Sequence, residues 1–254
     1  MIDFQNLTPK ILVIGDLIVD HYLWGSCDRI SPEAPVQIVA IESESTILGG
    51  AGNVVNNLKA LGAEVDLMSV IGECEVSNEF FRLISDINVS TQHLITENNR
   101  ISSKKSRIIA AQQQVIRYDR ECIDEISHES EQKIISLFRS IVINYDVILL
   151  SDYGKGLLTF DLTQSIISIS SEFNKKLLVD PKGTDYLKYK GAYLLTPNKK
   201  EASEATNISI KDNKSIESAI KELKKRCDLK LSLITLSDQG VAIFDTEFRT
   251  VSYT

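Results

Sequence analysis

Along the chain, short apolar runs alternate with stretches whose apolar residues return every three or four positions. The runs at 11–15, 65–72, 146–151, 176–180, 192–196 and 231–236 are nearly continuous in Val, Ile and Leu, the pattern of strands buried on both faces. Between them, Val54/Leu58/Leu61, Val76/Phe80/Leu83/Ile84/Ile87, Ile134/Phe138/Ile141, Leu162/Ile166/Ile169/Phe173 and Ile216/Ile220/Leu223/Cys227 each trace the apolar stripe of a helix. This alternation predicts an α/β fold, a mostly parallel sheet with helices on both sides. Two stretches depart from it. Residues 36–46 and 100–119 alternate apolar and polar positions with no helix between their strand-like halves, which predicts half-exposed antiparallel strands in a small second sheet. A lid over a site and a dimerisation surface fit such a sheet equally well.

Composition narrows the partners. The 254 residues are 43% hydrophobic, enough for a substantial core, and carry a net charge of −7, which argues against nucleic acid or an anionic membrane and leaves small molecules. Cys27, Cys74, Cys122 and Cys227 are widely spaced, without a C-x-x-C pair or zinc-finger spacing. Reduced thiols and a cytoplasmic location are expected. The longest apolar runs are strand-length, so neither a leader nor a membrane span is expected.

Candidate chemistry gathers at the ends of the strands, where open α/β sheets bind ligands. The first run leads into Asp16 and Asp20, the third into Asp152, Tyr153, Gly154 and Lys155, the fourth into Asp180, Pro181 and Lys182, and the fifth into Asn198. A single such Asp is commonly a helix cap. Four strand ends delivering polar groups to one edge indicate a site.

A glycine cluster, Gly49-Gly50-Ala51-Gly52-Asn53, precedes the first helix. Bare backbone at a helix N-terminus suits an anion, yet neither the Walker nor the dinucleotide spacing is present, because Asn53 stands where both would need something else. A helix-entry turn is the equal alternative.

Taken in order, "VIGDLIVDHY", "RISPEAPV", "LGGAGNV", "LSDYGKG", "DPKGTDY", "LLTPNKKEA" and "LITLSDQG" resemble the ribokinase/PfkB family of carbohydrate kinases, most closely its heptose 7-phosphate kinase branch. The resemblance implies a ribokinase-like three-layer α/β/α domain across 1–254 with a small antiparallel β lid at about 22–47 and 98–119. It implies that Asp20, assisted by Asp16, and Gly49, Gly50 and Asn53 bind sugar hydroxyls. Lys105, Arg107 and Arg117 on the lid would meet an acceptor's phosphate, a solvated lid face being the alternative. Asp152 and Lys155 would touch the acceptor, though Lys155 also suits a turn. Lys182, Asn198, Thr235 and Gly240 would contact ATP, and Asn198 with Glu201 would hold Mg2+ through water. Read without the resemblance, Asn198 to Glu201 is a helix start and Gly240 a hairpin turn.

The partners implied are a sugar phosphate and ATP, with a homodimer formed through the lid. The family's proton-accepting Asp lies in a G-A-G-D motif that does not occur within 1–254; by the resemblance it belongs beyond Thr254, which leaves no catalytic base among the residues named above. The expectation is therefore a domain incomplete at its C-terminal side, poorly active or inactive alone, with one sheet face lacking its helices. A PfkB-type kinase of another sugar and a non-catalytic sugar or nucleotide binder are the alternatives.

Overall fold

The computed structural model describes residues 8–252. Thr254, the expected bound of the domain and the residue past which the resemblance puts the proton-accepting Asp, lies outside the described residues. In chain order the elements are β1 (Lys10–Gly15), β2 (Leu17–Ile30), β3 (Gln37–Gly50), α1 (Ala51–Ala60), β4 (Glu64–Gly72), α2 (Glu75–Asp86), β5 (Leu94–Glu97), β6 (Ser103–Ala110) and β7 (Gln113–Arg120). They continue with α3 (His128–Ile141), β8 (Val147–Ser151), α4 (Phe160–Glu172), β9 (Lys176–Asp180), β10 (Leu194–Leu195), α5 (Lys199–Thr206), α6 (Asn213–Arg226), β11 (Leu231–Thr235), β12 (Val241–Phe244) and β13 (Phe248–Val251). The nine-stranded sheet runs β13-β12-β11-β10-β9-β8-β1-β4-β5. Its pairings are parallel from β11 through β5, and β12 and β13 are added antiparallel at one edge.

Pleating divides the core. On β1, Leu12 and Ile14 face the core shared with α3, α4, α5 and α6, whereas Ile11 and Val13 face the core of α1 and α2. Side chains alternate across a strand, so one six-residue segment anchors both layers. Farther along the sheet the two sides differ. Ile148, Leu150, Leu177, Val179 and Ile234 are almost wholly buried, but the alternate residues Leu149, Leu178, Leu233 and Ile243 are only half-buried. The expectation of strands buried on both faces thus holds at β1 and fails from β8 outward. The reason is reach: α1 and α2 share their core mainly with β1 and β4.

The lid is a second sheet, ordered β3-β2-β6-β7. Its outer pairings are antiparallel, as the alternation suggests, but β2 and β6 pair in parallel. The intervening α1-β4-α2-β5 crossover returns the chain in its original direction, so the central seam must be parallel. The lid also begins earlier than expected, at Leu17 rather than near residue 22. Buried Leu17 and Val19 pack with the α1 and α2 core and extend the strand into it.

Phe138 is fully buried beneath the sheet. Phe138→Ala should cost about 3–5 kcal/mol, measured as a lower denaturant midpoint with an unchanged slope.

Candidate active site

Two groups of side chains meet at the carboxyl ends of the parallel strands. The first lines an open cleft of about 350 Å³ formed by Asp152, Tyr153, Asp180, Pro181, Lys182, Thr196, Asn198, Glu201 and Thr235. These residues end or follow β8, β9, β10 and β11, so sheet topology alone brings them together. Asn198 caps α5: its side chain accepts the Glu201 N–H at 3.0 Å, and the Glu201 carboxylate accepts the Asn198 N–H at 3.0 Å. This reciprocal arrangement is a capping box. Lys182 Nζ lies 3.1 Å from Glu201 Oε1.

Asp180 has too little solvent and too many carboxylates around it. Burial, with Glu201 and then Asp152 adding to it and Lys182 opposing, pushes its carboxyl up to about 6.

The second group belongs to the lid. Asp20 on β2 is in register with Lys105 on β6, which is in register with Asp119 on β7. Arg107 donates to Asp20 at 2.6 Å and lies over the Tyr22 ring, 5.3 Å from its centroid. Gly49 is required by this pair, because a Cβ there would collide with Asp20 Oδ2. Gly50 caps α1, and Asn53 is exposed on its first turn. Arg117 forks onto Asp119 through two bonds of 2.9 and 2.6 Å, which holds the Asp119 carboxyl below its usual range, with Lys105 and Lys155 contributing.

Tyr153 connects the two groups. Burial pushes its hydroxyl above the ordinary range, and the carboxylates of Asp180 on one side and Asp20 on the other add to the effect. It sits on a turn that Asp16 organises. One Asp16 oxygen accepts the N–H groups of Tyr153 and Lys155 at 2.9 and 3.1 Å, and the other accepts that of Leu157 at 3.2 Å.

The profile of the pfkB family of carbohydrate kinases matches residues 8–252. The chain belongs to that family. Bifunctional protein HldE of Aliarcobacter butzleri is 64% identical over 237 residues, covering 93% of this chain and 50% of that protein. HldE of Sulfurimonas denitrificans is 55% identical over 245 residues, covering 96% and 51%. The chain spans about half the length of these curated relatives. Among solved structures, Arabidopsis thaliana ribokinase complexed with ribose and ATP aligns with a TM-score of 0.70 at 16% identity, over 97% of this chain and 78% of that one. Escherichia coli phosphofructokinase-2 in complex with fructose-6-phosphate gives a TM-score of 0.74 at 16% identity, over 98% and 80%. The fold is ribokinase-like.

In this pfkB chain several motif residues are engaged with protein. Asp16 is spent on the turn. Asp152 accepts Lys188 Nζ at 2.5 Å, the Tyr189 hydroxyl at 2.6 Å and the Gly154 N–H at 2.7 Å. Lys155 Nζ is 2.7 Å from Glu121. Gly240 lies in the turn before β12 with φ of +93°, and a Cβ there would collide with the Val251 carbonyl; it does not line the cleft that contains Thr235.

Sequence reasoning placed Asp180 among the strand-end groups without giving it a ligand, and missed Lys188, Tyr189, Glu121 and Asp119 as partners. The i, i+2 spacing of Arg117 and Asp119 on a strand could have revealed the last. The others are long-range pairings without a local signal.

Because the native Asp180 carboxyl binds its proton more tightly than the unfolded one, it costs nothing below about pH 4; its penalty grows from about pH 4 to 6 as the unfolded chain ionises first, and then stays constant. Asp180→Asn should therefore raise the melting midpoint by about 2–4 °C near pH 7.5 and change it little near pH 4. Thermal scans at both values check this.

Proposed function

We propose that the chain forms the sugar- and nucleotide-binding body of an ATP-dependent kinase that phosphorylates the anomeric hydroxyl of D-glycero-β-D-manno-heptose 7-phosphate. The single observation that carries this reading is the Asp20–Arg107 pair, flanked by Lys105 and packed against Gly49, on the lid side of Tyr153, with Lys182, Asn198, Glu201 and Thr235 on the other side. A carboxylate accepts from sugar hydroxyls while a guanidinium pairs with a phosphate. The arrangement suits an acceptor carrying both. The cleft beneath suits the polyphosphate of ATP, and Lys182 is its exposed cation.

Among the described residues no cluster of three His, Cys, Asp or Glu has metal-ligating geometry. Asp180, Asn198 and Glu201 nevertheless offer hard oxygens, and the Asp180 carboxyl, raised first by burial, is raised further by the carboxylates of Glu201 and Asp152. That donor set fits Mg2+ held largely through water. When bound, the ion neutralises charge on the transferring phosphate.

The lid exposes Trp24, Ile41, Ile47, Val115, Ile116 and Tyr118, apolar area that supports its use as a homodimer surface. Among the described residues no helix is long and apolar enough to cross a membrane, and the four cysteines are free. A cytoplasmic location accords with both.

Calorimetry on the 254-residue chain should show binding of ATP–Mg2+ and of heptose 7-phosphate, with unphosphorylated heptose at least about tenfold weaker. Preference for an unphosphorylated hexose or pentose would overturn the substrate assignment. No G-A-G-D occurs in residues 1–254, so phosphoryl transfer by this chain should be weak or absent and should be far faster in a version extended past Thr254 through such a motif. Turnover of the two at comparable rates would sink that expectation. Gly49→Ala pushes a methyl group onto Asp20 and should weaken heptose 7-phosphate by about tenfold while leaving ATP–Mg2+ within about twofold, read from the same titrations.

A further inference from the structure

Arg100 belongs to neither group of side chains, yet it is buried at 9% exposure in the connection between β5 and β6. Its guanidinium donates to two main-chain carbonyls, that of Asp124 at 3.1 Å and that of Lys155. The Glu97 carboxylate is 3.7 Å away and itself accepts the Ser127 N–H at the start of α3 at 2.9 Å. A buried guanidinium is costly unless its donors are met, and its planar fork serves the two carbonyls from two separate nitrogens, whereas a lysine would have to serve both from one.

The Lys155 carbonyl lies on the turn whose N–H groups are held by Asp16. The turn is therefore gripped on opposite edges, a carboxylate on its N–H groups and a guanidinium on its C=O. The connection carrying Arg100 is itself fixed, since the Gly72 N–H at the end of β4 donates to Ser102 Oγ at 2.9 Å. It leads directly into β6, which bears Lys105 and Arg107. One short stretch thus sets the place of the lid cations and of the turn bearing Tyr153 and Lys155.

We propose that Arg100 is a positioning residue for acceptor binding, fixing the Tyr153–Leu157 turn against lid strand β6. The proposal rests on the kinase reading above. The nucleotide-side residues Lys182, Asn198, Glu201 and Thr235 hang on β9, β10, α5 and β11, away from this connection. Of the Tyr153–Leu157 turn only Tyr153 reaches their cleft, so a positioning role weakens the acceptor far more than ATP–Mg2+, whereas a scaffold role weakens both ligands alike.

The test is Arg100→Lys, with titrations of heptose 7-phosphate and of ATP–Mg2+ and amide hydrogen exchange across 151–157. The expected result is about tenfold weaker sugar phosphate, ATP–Mg2+ within about twofold, and faster exchange at Tyr153, Lys155 and Leu157. Equal loss of both affinities overturns the proposal, as does unchanged sugar-phosphate affinity. If Arg100→Lys gives no cooperative melt, Glu97→Gln removes the charge beside Arg100 while its amide oxygen can still accept the Ser127 N–H, and a weakening of about threefold at the acceptor that exceeds any at ATP–Mg2+ supports the role while no weakening overturns it. Failure of the kinase reading looks different: the unaltered chain itself then binds ATP–Mg2+ and no sugar phosphate.

Discussion

The buried carboxylate of Asp16 ties the two sheets and the cleft to one another. A single residue separates β1 from β2, and every polar group of that residue is committed. Its N–H donates to the Ser151 carbonyl at 3.2 Å, its carbonyl accepts the Ala51 N–H at 2.9 Å, and its side chain holds three amides of the following turn. Burial pushes its carboxyl up, and those amides pull against that effect. An ionised group so placed is tolerable only because its lone pairs are met. An amide in its place would aim donors at donors.

Charge around the cleft is laid out in pairs. Arg107 with Asp20, Lys155 with Glu121, Lys182 with Glu201 and Lys188 with Asp152 each set a cation beside a carboxylate. On the proposed reading, a chain of net charge −7 can thereby offer local positive ends to phosphates from cations that already have carboxylate partners. On that reading an incoming phosphate would join or displace an existing partner, and affinity would be a difference between two paired states.

Much of the fold was legible because its strands are continuous apolar runs and most of its helices carry clear stripes, the exception being α1, whose expected stripe ends at the exposed Leu61 while Ala51, Gly52 and Val55 are buried. Phe80, Ile84, Ile134 and Phe138 fall where their period places them. β5 was not: four residues, Leu94–Glu97, are too few to show a period. The two-residue strand β10 is shorter than its apolar run suggests, because Ala192 and Tyr193 are apolar yet precede it, although the Tyr193 backbone already bonds Leu177 and Leu231 on the flanking strands. The parallel seam of the lid follows from a crossover that no local pattern reveals. For the site, strand-end clustering located the cleft but left the partner of each charge unknown. Glu121 and Lys155 or Lys188 and Asp152 are joined by folding, and Asn198 with Glu201 satisfied a capping rule without disclosing what else the pair does.

The β2–β3 half of the lid has no linker. β1 passes into β2 across one residue, and β3 passes into α1 with none. The roots of that half are therefore continuous with the main sheet and α1, so its opening must come from bending and twisting long strands rather than from swinging about a loop. Length variation is likewise confined to the tips: residues 31–36 between β2 and β3, and the tight turn at Ala111 and Gln112, both with positive φ. Among relatives of this protein, insertions that preserve the cleft should collect at those far ends, where the lid can grow without altering the geometry at its roots.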